Sequence, residues 1–176
     1  METNTVILKD KLVKTGSSPV FDESYNEIGS IHYKFLSVKG KVEIKDTSEN
    51  LVSKGGAKLV SLLPKWQITS GSGDEIGTIK RKPSLFRKKY SYRNSQGNTY
   101  NIKGSITDRT FDVVNDRGVR VIQVFSISSI ISLRPHTFAV EINGKEFSTW
   151  EAINLVQGIR SLVKREQKSK QNQHDV

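Results

Sequence analysis

Tyr90-Ser91-Tyr92-Arg93-Asn94-Ser95-Gln96-Gly97-Asn98-Thr99-Tyr100-Asn101-Ile102-Lys103-Gly104-Ser105 reads as one β-hairpin: an alternating strand, a polar turn, a second strand. The turn Asn94-Ser95-Gln96-Gly97 puts Asn early and Gly late. Gly accepts a positive φ without steric cost, and Asn bonds its local backbone. Four more segments repeat the pattern, starting near Val20 (VFDESYNEIGSIHYK), Val42 (VEIKDTSENLVSKGGAK), Trp66 (WQITSGSGDEIGTIKRK) and Phe111 (FDVVNDRGVRVIQVFS). The five starts are almost evenly spaced along the chain. A two-strand repeat of roughly 20–25 residues is a chain of hairpins.

Strand alternation supplies a wet and a dry side. Val42 and Ile44 alternate with Glu43 and Lys45, and Phe138, Val140 and Ile142 with Ala139 and Glu141. A charged outer face excludes an outer-membrane barrel, whose outside is apolar. Composition agrees with a β protein: 16 Val, 16 Ile and 11 Thr stand against 3 Ala among 176 residues.

From Thr149 to about Gln167 the period changes. Ala152, Ile153, Leu155, Val156, Ile159, Leu162 and Val163 fall at helical spacing. Ser148 with Glu151 forms a capping box, and Phe147 with Ala152 a hydrophobic staple. Residues 168–176 are polar and read as a disordered tail, leaving residues 1–167 as a single domain. Five hairpins, a strand at residues 6–13 and one at Thr137–Asn143 make twelve antiparallel strands. Twelve exceed a comfortable open sheet, so closure into a barrel is expected. Such a barrel leaves a hole that a helix about 10 Å across fills. The polar side of that helix, Asn154, Gln157, Arg160 and Lys164, predicts a barrel open along one side or a helix lying partly across an end.

These residues resemble the LURP-one-related family of the tubby C-terminal-like superfamily, including its small bacterial members. The resemblance covers roughly residues 5–165. It is carried by the repeated strand-turn-strand units and by two copies of Gly-x-Ile-x-x-Lys, Gly29-Ser30-Ile31-His32-Tyr33-Lys34 and Gly77-Thr78-Ile79-Lys80-Arg81-Lys82. Leu62-Leu63-Pro64-Lys65-Trp66 and the helix of residues 147–163 add to it. The resemblance implies a twelve-stranded barrel around a central hydrophobic helix. It also implies a place among phosphoinositide-binding and membrane-acting relatives. Scramblase activity is not expected: an acidic calcium segment, a Cys for palmitoylation and a hydrophobic anchor are all missing from the sequence.

The net charge is +10. Residues 61–105 carry +7 of it, against +1 in residues 1–60 and +2 in residues 106–176. The densest part, residues 80–89, holds Lys80, Arg81, Lys82, Arg87, Lys88 and Lys89 with Leu85 and Phe86 between them. A basic loop with an apolar tip suits an anionic phospholipid surface, where each Lys or Arg contributes about 1 kcal/mol. The same charges suit nucleic-acid phosphates less well than a lipid or a protein partner. Read as a solvated hairpin loop, the cluster serves solubility.

The remaining motifs point away from chemistry. His32, His136 and His174 read as surface residues, with no nucleophile placed beside them. Asp108, Asp112 and Asp116 read as a solvated face rather than a metal site. Asp46-Thr47-Ser48-Glu49-Asn50 reads as a turn, and Gly71-Ser72-Gly73-Asp74-Glu75-Ile76-Gly77 precedes a strand rather than the helix a phosphate loop needs. Absence of Cys excludes disulfides, a thiol nucleophile and a Cys zinc site. Residues 1–13 lack the apolar run of a signal peptide. Residues 121–133, uncharged but with Gln123 and four Ser, are too short and polar to span a bilayer. The expectation is a non-enzymatic binding or scaffold module without cofactor, cytoplasmic and peripheral at the membrane. The alternative is a protein-interaction domain using the barrel exterior.

Overall fold

The structure is a computed structural model. It describes residues 3–9, 16–34, 40–58, 63–83, 89–127 and 137–174, with side chains described as far as Gln167. Twelve strands precede one helix: β1 (Thr3–Lys9), β2 (Gly16–Asp22), β3 (Glu27–Lys34), β4 (Lys41–Asp46), β5 (Leu51–Lys58), β6 (Lys65–Ser70), β7 (Glu75–Lys82), β8 (Lys89–Asn94), β9 (Thr99–Ser105), β10 (Thr110–Val114), β11 (Arg120–Ser126), β12 (Thr137–Asn143) and α1 (Thr149–His174). Each strand pairs antiparallel with its neighbour in sequence, and β1 closes the ring against β12 with Thr3 opposite Asn143. The expected twelve-stranded barrel is the fold. The first strand lies at Thr3–Lys9, earlier than the spacing of its apolar residues suggests. β2 begins at Gly16, where Ser18 is buried and its hydroxyl donates to the Lys9 carbonyl at 2.7 Å.

The five hairpin turns share one construction. In each, a residue at position i donates its N–H to the carbonyl of i+4 and accepts the N–H of i+3. The positions i are Asp22, Asp46, Ser70, Asn94 and Asn115. Each side chain also accepts the i+4 N–H, at 2.8 to 3.0 Å. Position i+3 has a positive φ in all five: Tyr25, Glu49, Gly73, Gly97 and Gly118. Four of the hairpins carry a register shift beside the turn, as expected of a type I turn closed by a left-handed residue. The first four anchors are evenly spaced along the chain, and the fifth follows after a slightly shorter step.

These turns gather at one end of the barrel, called here the turn end. The longer connections gather at the other, the loop end. The helix enters at the turn end. There the Ser148 hydroxyl accepts the Glu151 N–H at 3.2 Å, and the Tyr92 hydroxyl donates to Glu151 Oε1 at 2.6 Å. Burial raises the Glu151 carboxyl above its ordinary pKa. Phe147 closes this end against the Tyr92 and Tyr100 rings, with centroids 5.8 and 4.8 Å away.

The helix runs through a closed barrel, so neither expectation raised by its polar side holds. Asn154 is fully buried; its Oδ1 accepts from Trp66 Nε1 at 3.2 Å and its Nδ2 donates to Ser53 Oγ at 2.7 Å. Gln157 accepts from the Tyr33 hydroxyl at 3.3 Å, and the Arg160 guanidinium lies 4.6 Å from the centre of the Phe138 ring. Of the four, only Lys164, near the loop end, is exposed. Polar groups on an enclosed helix are tolerated because the wall supplies their partners. The apolar arc meets the barrel lining as the periodicity predicts: Ile159 and Leu162 are fully buried against residues such as Ile68, Ile79 and Val140. The helix continues past Gln167 to His174. Lys and Gln, frequent in that segment, are good helix formers even where apolar spacing ends.

The packing of the helix sets the cost of changing it. Ile159→Ala or Leu162→Ala should cost about 2–5 kcal/mol in denaturant unfolding. Gly158→Ala should also destabilise, by roughly 1–3 kcal/mol, because its Cβ would lie 2.5 Å from Trp66 Cδ1 and 2.6 Å from Ile79 Cδ1. At the turns, Gly118→Ala forces an ordinary side chain to φ 77° and should lower stability by about 1 kcal/mol. Tyr25→Gly should raise it by a smaller amount, since Tyr25 gives up its contact with the Phe21 ring. Thermal melts of the two variants moving in the same direction would refute the shared turn geometry.

Candidate functional site

Across β2 to β8, acids predominate at the turn end and lysines at the loop end, although Lys45 and Arg93 also stand near the turns. At the turn end stand Asp22, Glu23, Glu27, Asp46, Glu49, Asp74 and Glu75. Hydrogen bonds from Asn26 and Asn50 hold the Asp22 and Asp46 carboxyls below the usual range, and Lys45 does the same for Glu49. At the loop end, three successive connections are framed by opposed lysines. Lys34 faces Lys41, Lys58 faces Lys65 and Lys82 faces Lys89 in the strand register. Lys65 also faces Lys80 on its other side. Like charges directly opposite each other weaken a strand pair, yet the arrangement recurs three times. Lys34 forms an ion pair with Glu43. Among the described residues, Lys41, Lys58, Lys65, Lys80 and Lys89 have no ion-pair partner.

The structure divides the basic cluster of residues 80–89. Lys80 and Lys89 are exposed. Lys82 is half-buried and donates to Asn101 Oδ1 at 2.6 Å. Arg81 has the inward phase of its strand, in line with Gly77 and Ile79, and its Nε lies 3.8 Å from Glu166 Oε1 of the helix. Tyr90, the register partner of Arg81, is buried at the same place; burial and the Glu166 carboxylate push its phenol well above the usual range. Arg81 therefore ties the helix to the barrel mouth. Leu85, Phe86, Arg87 and Lys88 lie outside the described residues.

The sequence reading misses the wider lysine set, although a signal is present. Lys34, Lys58 and Lys82 are evenly spaced along the chain, as are Lys41, Lys65 and Lys89, and both series keep the step of the turn anchors. Two of the six close the Gly-x-Ile-x-x-Lys motifs. The inward phase of Arg81 is also legible from the alternation of β7.

Two hollows lie on the described surface. On the outer wall a groove of about 720 Å³ crosses β4 to β6, floored by Gly56 and bordered by Lys41, Lys54, Lys58, Glu43 and Gln67. At the turn end a polar hollow of about 300 Å³ is lined by Asn98, Tyr100, Asn115, Asp116, Arg117 and Glu146. Burial, then Glu146, pushes the Tyr100 phenol up to about 12.

The remaining motifs are placed in turns and on strands. His32 shares a hydrogen bond of 2.9 Å with the Ser30 hydroxyl, and His136 lies outside the described residues. Asp108 accepts from the Ser105 hydroxyl, Asp112 lies 3.9 Å from Arg120, and Asp116 sits in a turn at the opposite end from Asp108, so the three do not meet. Among the described residues no group of three His, Asp or Glu could hold a metal ion, and no helix is long and apolar enough to cross a membrane.

A closed antiparallel barrel threaded by its own helix is the class of fold that the sequence resemblance implied. The chain belongs to the LURP-one-related family, whose model matches residues 4–147. An X-ray structure of a protein from Arabidopsis thaliana superposes with a TM-score of 0.59 over 92% of this chain and 91% of that one. The two share 16% sequence identity, so the likeness concerns the fold alone. No curated protein matches the sequence.

The inward position of Arg81 has a measurable consequence. Arg81→Gln should destabilise the fold more than Lys80→Gln does. Combined with Glu166→Gln in a double-mutant cycle, it should show a coupling of about 0.5–3 kcal/mol. Zero coupling would place Arg81 outside the structural core.

Proposed function

We propose that the protein is a non-enzymatic binding module recruited to anionic membrane surfaces through the basic segment between β7 and β8. The observation that carries this reading is the clustering of Lys80, Lys82 and Lys89 with unpaired neighbouring lysines at one end of the barrel. Membership of the LURP-one-related family and the barrel fold are consistent with a binding domain. The interacting residues are Lys80, Lys82, Leu85, Phe86, Arg87, Lys88 and Lys89, with Arg81 adding its field while it anchors the helix. The second reading is a protein-interaction domain. It is favoured by the groove over Gly56, whose outer surface carries no side chain.

Co-sedimentation with vesicles containing phosphatidylserine separates the two. Binding should require anionic lipid and weaken steeply as the Debye length shortens from about 10 Å at 0.1 M to about 3 Å at 1 M salt. Replacing Arg87, Lys88 and Lys89 with Gln should remove about 3 kcal/mol, roughly two orders of magnitude in affinity. Replacing Leu85 and Phe86 with Ser should remove a component that salt does not screen. If the parent fails to bind at low salt, the protein-interaction reading takes its place.

A further inference from the structure

We infer that the membrane contact is the lysine-bearing rim of β3 to β8 at the loop end of the barrel, docked end-on, and not the β7–β8 segment alone. This inference rests on the membrane reading above and specifies its geometry. The three opposed lysine pairs occupy six consecutive strands, β3 to β8, which is half the circumference. Successive pairs are two strands apart, about 10 Å at 4.7–4.9 Å per strand. That spread is too wide for one compact anion to touch every pair. An anionic bilayer meets all of them at once.

The helix adds to this end. Twenty-six residues span about 39 Å at 1.5 Å per residue, whereas strands of five to eight residues rise at most about 27 Å. The last turns of α1 therefore emerge at the loop end, past the exposed Lys164.

The acidic turns select the orientation. Asp22, Glu23, Asp46, Glu49, Asp74 and Glu75 belong to the hairpins β2–β3, β4–β5 and β6–β7, which include strands that carry the lysines. In an end-on pose these carboxylates stand a full barrel height from the bilayer, well beyond a Debye length of about 8–10 Å. Laying the same strands flat on the bilayer would bring acids and lysines to it together. Attraction is therefore greatest, and repulsion least, with the barrel axis along the membrane normal.

The test uses the full chain and vesicles of phosphatidylserine in phosphatidylcholine. Lys58→Gln with Lys65→Gln, and separately Lys34→Gln with Lys41→Gln, remove pairs distant in sequence from residues 80–89. Each double variant should weaken binding, the Lys58/Lys65 variant by about 30-fold if each lysine contributes as a membrane-proximal charge does. The Lys34/Lys41 variant should lose less, because Glu43 already offsets Lys34. Removing opposed like charges relieves repulsion, so the melting temperature of the Lys58/Lys65 variant should hold or rise. The Lys34/Lys41 variant also gives up the Lys34–Glu43 ion pair, a surface contact of little weight in stability, and should stay folded at the assay temperature. Glu23→Gln with Glu27→Gln at the far end should change affinity by less than about twofold, as distance and screening require. Parent-like binding by both lysine variants, with loss confined to the Arg87/Lys88/Lys89 variant, would overturn end-on docking and leave the membrane reading standing. Absence of binding by the parent at low salt would overturn the membrane reading itself and this inference with it.

Discussion

The Trp66 indole is held between two glycines, and the rest of the fold is arranged about that contact. Gly55 of β5 and Gly158 of the helix each leave room that a Cβ would take from the ring. The indole N–H reaches Asn154, which in turn holds Ser53, whose hydroxyl donates to the Thr69 carbonyl. One polar chain thus links three adjacent elements, β5, β6 and α1, in an interior otherwise filled mainly by apolar side chains. It specifies the depth and rotation of the helix, which dispersion contacts alone leave loosely determined. A residue that would be costly unpaired in a core becomes a register mark when each of its partners is present.

The same logic of local permission recurs along the repeat. Gly29 lies under the Trp150 ring and Gly77 under Tyr92, as Gly55 lies beside Trp66. Each of these glycines sits within a strand whose last residue is Lys34, Lys58 or Lys82. The step from Asp22 to Asp46 therefore writes two things at once, an anchored turn and a lysine at the opposite rim, while Gly55 sits two residues beyond the position that the step from Gly29 reaches, which is Ser53. The recurrence of the lysine pairs at one height follows from hairpins of nearly constant length, because equal lengths bring equivalent residues to equal heights.

Much of this is legible in the sequence, for a physical reason. Turn chemistry and two-residue alternation are local, so the hairpins, their number and the closing helix can be read from neighbours in the chain. Asn154 cannot be read that way. Its polarity argues for an exposed helix face, and its partners Trp66 and Ser53 lie 88 and 101 residues away. Charge density, counted without regard to phase, puts Arg81 on the surface, although Gly77 and Ile79 already mark its side of β7 as inward. The lysine series is visible in the spacing of the motifs but becomes a rim only when antiparallel closure brings its members to one level.

The order of elements along the chain has a consequence for how the molecule forms. The helix that fills the interior is made after all twelve strands, and the strand pair that closes the ring joins Thr3 to Asn143. Nascent hairpins can form early, since their contacts are local, but the ring waits for β12 and its filling waits for the helix that follows. Loop closure across such a separation is slow, and chains rich in long-range pairing fold on the millisecond-to-second scale. During that interval the apolar lining of the strands has no helix to cover it. The domain therefore passes through its most aggregation-prone state after its strands are made and before the helix is in place, and the charged outer faces of the strands keep the unfinished ring apart from its neighbours.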